Sequence, residues 1–231
     1  MTPYYTDNLV TLYHGDCRDI LPWLTVAGDV AVASDPPYGI GHRHSGKGRH
    51  AHHHAERGRR NVNLVAGDDE PFDPSHLLAM FDNVLLWGAN HYAKRLPDGG
   101  RWLAWDKLAG MKVEDSFSDV EFAWHSRGKA SRIINFAWKG VASVKAGEDN
   151  GRRWHPTQKP VGVMVWSIGQ TGVAPGGTII DPYLGSGTTA VAARRTGHRF
   201  IGIEMDEGHL RTAVRRLAQG VLDFGESAKS A

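Results

Sequence analysis

Apolar positions in this chain come in short, nearly continuous runs that alternate with stretches where they recur at helical spacing. Runs at 9–14 and 29–34 read as early strands, and a short helix through 24, capped by Asp19, follows the first. The spacing predicts a helix over 73–83, with apolar residues at 77, 78, 80 and 81, and a strand at 84–87. Three aromatic runs at 101–105, 120–124 and 133–138 are separated by turn residues and suit an antiparallel edge built of hairpins. Pro160 opens a helix with apolar positions at 161, 163, 164, 165 and 168. The last section predicts a strand at 178–180, a helix at 188–195, a strand at 200–203 and an amphipathic helix over 207–219. Strands alternating with helices make this an α/β chain.

The stretch 176–206 carries the first chemistry. It is a strand, a glycine-rich turn (Tyr183, Leu184, Gly185, Ser186, Gly187), a helix and a second strand ending on Glu204. Such a unit sets backbone N–H groups beside a pocket at the strand ends. Gly185 and Gly187 lack the Cβ that would keep a ligand off the backbone. Glu204 sits where a carboxylate accepts hydrogen bonds from ribose hydroxyls. Asp181 adds negative charge that would repel a pyrophosphate and welcome an ammonium group, and no P-loop lysine follows Gly187. An amino-acid nucleoside fits these residues better than a dinucleotide, and S-adenosylmethionine is the candidate cofactor.

The second feature is Asp35-Pro36-Pro37-Tyr38 at the end of a strand. Two prolines stiffen the backbone and remove two donors. A primary amine could then bridge the Asp35 carboxylate and the Pro36 carbonyl, while Tyr38 offers a face to a planar base. A plain proline turn would share the same letters. The segment 39–61 holds Arg43, Lys47, Arg49, Arg57, Arg59 and Arg60 against one acid, with six of the 13 histidines. That composition cannot form a packed core and reads as a mobile basic loop suited to a phosphate backbone. A merely solvated loop competes with this reading. The histidines lack the carboxylate framework and regular spacing of a metal site, so no metal is expected. Cations interleaved with aromatics over 106–153 suit either a small target-recognition insertion or a solvated sheet edge.

Composition narrows the classes. At 231 residues the chain is expected to be one domain, 1–231, with a modest insertion. Net charge is +2, so only the local clustering of cations speaks for nucleic acid. The one cysteine, Cys17, excludes an internal disulfide and a cysteine-rich zinc pattern. The opening residues do not read as a secretory leader and no apolar run is long enough to span a membrane, so a cytoplasmic, non-membrane protein is expected.

Taken in order, DPPYGI, then HPTQKP, then DPYLGSGTT and GIEMD, the chain resembles the β-class amino-group DNA methyltransferases, which act on adenine N6 or cytosine N4. The resemblance spans roughly 9–219. It implies a Rossmann-like S-adenosylmethionine-dependent methyltransferase fold: a seven-stranded, mostly parallel sheet with one antiparallel strand and helices on both faces. It places Asp181, Tyr183, Gly185, Ser186, Gly187 and Thr188 around the methionine part of the cofactor. Glu204 would hold the ribose and Met205 would flank the adenine. Asp16, with Cys17 beside it, would lie near the adenine, and Thr157, Gln158 and Lys159 at the carboxylate end. Asp35, Pro36, Pro37 and Tyr38 match the catalytic motif. The implied substrate is double-stranded DNA with its target base flipped out. In the family an aspartate before PPY goes more often with adenine, and serine with cytosine N4. A non-catalytic DNA-binding protein keeping the fold is the rival. A homodimer and a separate cognate restriction endonuclease are left open as partners.

Overall fold

The computed structural model describes residues 1–39, 70–112, 118–138 and 158–227. Among these residues nine strands form one sheet: β1 Tyr5–Thr6, β2 Val10–His14, β3 Val30–Ser34, β4 Val84–Trp87, β5 Arg101–Asp106, β6 Val120–His125, β7 Arg132–Asn135, β8 Thr178–Asp181 and β9 Arg199–Glu204. Their order is β1-β2-β9-β8-β3-β4-β6-β5-β7. Strands β2, β9, β8, β3 and β4 run parallel, and β6 lies antiparallel between β4 and β5. The expected seven strands with one internal antiparallel member are therefore present. Two short edge strands extend them: β1 pairs antiparallel to β2, and β7 pairs parallel to β5. The aromatic runs form a hairpin-like edge only in part, because β7 runs alongside β5 rather than against it.

Five α-helices are described: α1 Cys17–Ile20, α2 Ser75–Met80, α3 Val161–Thr171, α4 Thr188–Arg195 and α5 Glu207–Ser227. Strand parity divides the core between the two sheet faces. Ala31 and Ala33 of β3 and Leu85 and Trp87 of β4 pack with residues of α3, α4 and α5. Val32, Val84 and Leu86 face the other way, against Cys17 and Ile20 of α1 and Leu77 of α2. Both faces are thus covered, which is why the central strands read as continuous apolar runs. The buried Trp87 indole donates to Ser167 Oγ at 3.1 Å, so its one polar atom is satisfied.

Two helix ends differ from expectation. The cap of α1 is Asp16, not Asp19: Asp16 keeps an extended backbone (φ −74°, ψ 130°) and its side chain accepts from Arg18 N. Helix α2 stops at Met80, short of 83. Asn83 is drawn into the sheet, where its amide donates to Thr171 O at 3.1 Å and its Oδ1 lies 2.9 Å from His125 Nε2. No helix among the described residues is long and apolar enough to cross a membrane.

Candidate active site

From β3 the chain goes on to β4 on one side, and from β8 to β9 on the other, so the winding reverses between these two adjacent parallel strands. In open α/β sheets the crevice at the carboxyl ends beside such a reversal is where ligands bind. The proline tetrapeptide leaves the end of β3 there, and the glycine loop leaves the end of β8.

Strand β3 ends at Ser34, which puts Asp35 at the rim. Asp35 Oδ1 accepts from Tyr38 OH at 2.5 Å and from Lys159 Nζ at 2.6 Å. The same ammonium donates to Tyr38 OH at 2.8 Å and lies 3.2 Å from Glu121 Oε2. Glu121 in turn meets Lys107 Nζ at 3.1 Å through Oε1. The Lys159 side chain is 5% exposed, against 28% for Asp35 and 31% for Glu121, so a buried ammonium stands between two partly open carboxylates. Burial alone would pull the Lys159 ammonium down; the Asp35 and Glu121 carboxylates outweigh it and hold its pKa raised. Burial, and then the charges of Asp35 and Glu121, push the Tyr38 phenol far up, so it stays protonated. The Tyr38 ring is wedged in place. His91 stacks on it at 5.1 Å and 15°, and a Cβ added to Gly88 would fall 1.9 Å from Tyr38 Cε1.

On the cofactor side, buried Asp181 accepts from Ser34 Oγ at 2.6 Å and Tyr183 N at 3.1 Å, both on Oδ1. This ties the end of β8 to the end of β3. Burial raises its pKa to about 6, against the pull of the Ser34, Thr189 and Tyr183 donors. Glu204 takes Gly185 N on one oxygen and Asp206 N on the other, each at 2.8 Å. Burial would raise it, but His209 and these amides hold it low, hence ionised. The register pairs His14 with Glu204, so Asp16 follows two residues past the point level with it. Tyr183 OH lies 3.1 Å from His76 Nε2, which is 4.0 Å from the buried Cys17 Sγ, and Phe72 meets the Tyr183 ring edge-on at 5.3 Å.

A DNA methylase family model of N6 and N4 enzymes matches residues 78–215. Type II methyltransferase M2.DpnII of Streptococcus pneumoniae is 41% identical over an alignment of 260 residues that takes in 93% of this chain and 92% of that one. The chain belongs to the amino-group DNA methyltransferase family. Two solved structures share the fold of this methyltransferase. PvuII DNA methyltransferase (cytosine-N4-specific) has a TM-score of 0.56 at 15% identity, covering 92% of this chain and 87% of that one. The M1.HpyAVI–SAM complex has a TM-score of 0.52 at 20% identity, covering 90% and 100%.

The methyltransferase brings most of the sequence-predicted residues to one rim, where their present contacts differ from one residue to the next. Gly185 (φ 52°) has open space where a Cβ would stand, as a ligand cradle requires. Gly187 does not: a Cβ there would lie 2.7 Å from Ala213 Cβ, so this glycine admits helix α5 rather than a ligand. The hydroxyl oxygens of Ser186 and Thr188 accept from the buried Arg216, at 3.1 and 3.0 Å, which fixes the loop against α5. Met205 is 58% exposed, and its carbonyl lies 2.9 Å from His14 Nε2. Lys159, expected at the cofactor's carboxylate end, is engaged by Asp35, Tyr38 and Glu121, with Gln158 buried next to it in sequence. Lys107, one of the cations interleaved with aromatics over 106–153, is paired with Glu121. Thr157 and the basic residues Arg43, Lys47, Arg49, Arg57, Arg59 and Arg60 lie outside the described residues. Sequence reasoning missed Ser34, His76, Glu121 and Arg216. Glu121 left one signal: it is a carboxylate set in the otherwise aromatic and apolar start of the β6 run.

Proposed function

We propose that this methyltransferase moves a methyl group from S-adenosylmethionine to N6 of adenine in double-stranded DNA. The observation that carries the reading is the placement of Asp35, at the end of β3, beside the Asp181–Gly185 loop at the end of β8. The residues fit the cofactor: Gly185 leaves a gap beside the backbone, and the surrounding acids Asp16, Asp181 and Glu204 suit an ammonium group and ribose hydroxyls and repel phosphates. When bound, S-adenosylmethionine supplies an electrophilic methyl on a sulfonium. Glu204 would hold the ribose, Asp16 the adenine end, and Asp181 with Gly185 the amino-acid end.

The protein's own task is to ready the nucleophile. The lone pair of a base amine is delocalised into its ring. Accepting hydrogen bonds from that amine on Asp35 and the Pro36 carbonyl favours a tetrahedral nitrogen and frees the lone pair for in-line attack. As the bond to the methyl carbon formed, that carbon's bond to sulfur would break and the nitrogen would become positive; its acidic proton would pass to the Asp35 carboxylate, which need not be a strong base. Both described bonds to Asp35 fall on Oδ1, which leaves Oδ2 for the amine. Asp35, rather than serine, before PPY supports adenine over cytosine N4. A homodimer on a two-fold site and a separate cognate endonuclease go with this reading; sedimentation of the protein with and without its DNA site tests the first.

The test is Asp35→Ala. Turnover on DNA should fall below detection while the cofactor still binds, measured by calorimetry. Wild-type turnover in this variant would remove Asp35 from the mechanism.

A further inference from the structure

The Lys159 ammonium has three N–H donors and meets three acceptors: Asp35 Oδ1 at 2.6 Å, Tyr38 OH at 2.8 Å and Glu121 Oε2 at 3.2 Å. A buried ammonium is stable only when its charge and its donors are matched. Here that matching comes from two separate elements of the rim. Asp35 and Tyr38 belong to the tetrapeptide after β3. Glu121 belongs to β6, the antiparallel strand two places away across β4. Lys107, next after β5, closes the far end at 3.1 Å from Glu121 Oε1. The signs alternate along the row: Lys107, Glu121, Lys159, Asp35.

We propose that Glu121 is a positioning residue for methyl transfer, acting through Lys159 to pin Asp35 Oδ1 and the Tyr38 hydroxyl so that Oδ2 faces the substrate amine. The proposal rests on the methyl-transfer reading above. Without Glu121, the ammonium keeps a single carboxylate partner and one donor loses its acceptor. It then draws harder on Asp35, whose acceptor strength toward the amine falls, and its own position loosens. Burial and the two neighbouring cations bear on Glu121 in opposite directions, and the cations prevail, holding it ionised and able to do this. Among the described residues, the other groups facing Lys159 are the rings of Trp87 and Tyr38, 5.4 and 5.6 Å from Nζ, which also favour a cation.

The experiment is single-turnover methyl transfer to duplex DNA by Glu121→Gln, with cofactor affinity, melting temperature and a pH–rate profile measured alongside. Glutamine keeps the shape and an acceptor oxygen but removes the charge. The expected result is a rate lower by about 10- to 100-fold, as for a misplaced catalytic group. Cofactor affinity and melting temperature should stay near wild type. The variant should also gain an alkaline limb in its pH profile, because losing a negative neighbour lets Lys159 deprotonate at lower pH. Lys107→Met should lower the rate less, since Glu121 still reaches Lys159, and should bring no alkaline limb, because it removes a positive neighbour. An unchanged rate and pH profile in Glu121→Gln would overturn the proposal. So would a loss of rate matched by equal losses of cofactor affinity and melting temperature, which would mark Glu121 as structural only. If the wild-type protein transfers methyl to no DNA at all, the functional reading fails and the positioning role fails with it.

Discussion

Replacing Asp181 by asparagine should make the protein more stable at neutral pH, not less. Asp181 is fully buried and its pKa stands at about 6, against 3.8 for an ordinary aspartate. The folded state therefore holds this proton more tightly than the unfolded state does. Its contribution to stability is fully present below the unfolded value, declines as pH rises and is gone once pH passes about 6. A gap of about two units at roughly 1.4 kcal/mol each gives about 3 kcal/mol lost across that window. Asparagine keeps an oxygen where Oδ1 accepts from Ser34 Oγ and Tyr183 N, and a hydroxyl such as that of Thr189 can turn to meet the new amide. It never ionises. Urea unfolding of both proteins, ligand-free, from about pH 4 to about pH 8 gives a difference curve in which other titrating groups largely cancel. The variant's advantage should grow by about 3 kcal/mol up to about pH 6 and then level. A difference that stays flat, or that shrinks with rising pH, would refute the reasoning. The same substitution should weaken cofactor binding, because the buried charge that costs stability is what would attract an ammonium group.

Other substitutions test separate parts of the site. Gly88→Ala places a Cβ 1.9 Å from Tyr38 Cε1 at a residue with φ 69°, so it should cost about 1–3 kcal/mol and lower kcat by at least about tenfold as Tyr38 leaves Asp35; a wild-type kcat would show that the Tyr38 position is immaterial. Gly187→Ala should destabilise by about 2 kcal/mol through its clash with Ala213, whereas Gly185→Ala should cost only about 1 kcal/mol of backbone strain but reduce cofactor affinity. Thermal melts with calorimetric titration separate the two, and equal effects would contradict the assignment. His125, pushed down to about 4 by burial and then by Arg101 and Arg127, contributes stability above its unfolded pKa that is lost as pH falls toward the folded value. His125→Gln should therefore lose less stability than wild type between about pH 7 and about pH 4, and parallel acid curves would exclude this role.

Local pattern carried the fold where one period dominated. The 188–195 helix and the 84–87 strand appear with the predicted bounds, because small residues at helical spacing and an unbroken apolar run each admit one structure. Caps were harder. Asp16 and Asp19 are both plausible, and only the extended backbone at Asp16 decides between them. The motifs come together at one rim of the sheet, but partners far apart in sequence were not legible. Lys159 stands 124 residues from Asp35, and Gly187 meets Ala213 only once α5 folds back. Spacing along a chain says which atoms point to one face, not which distant strand supplies the charge that faces them. The same reason hid Arg216, whose guanidinium holds the glycine loop from a helix that read only as amphipathic.

Adenine N6 methylation of DNA is tested most directly by incubating the purified protein with isotopically labelled S-adenosylmethionine and unmethylated duplex DNA, then digesting to nucleosides for mass spectrometry. Label in N6-methyladenine, absent with Asp35→Ala, is the predicted result. Label confined to N4-methylcytosine, or no label in DNA from protein that binds the cofactor tightly, would contradict it.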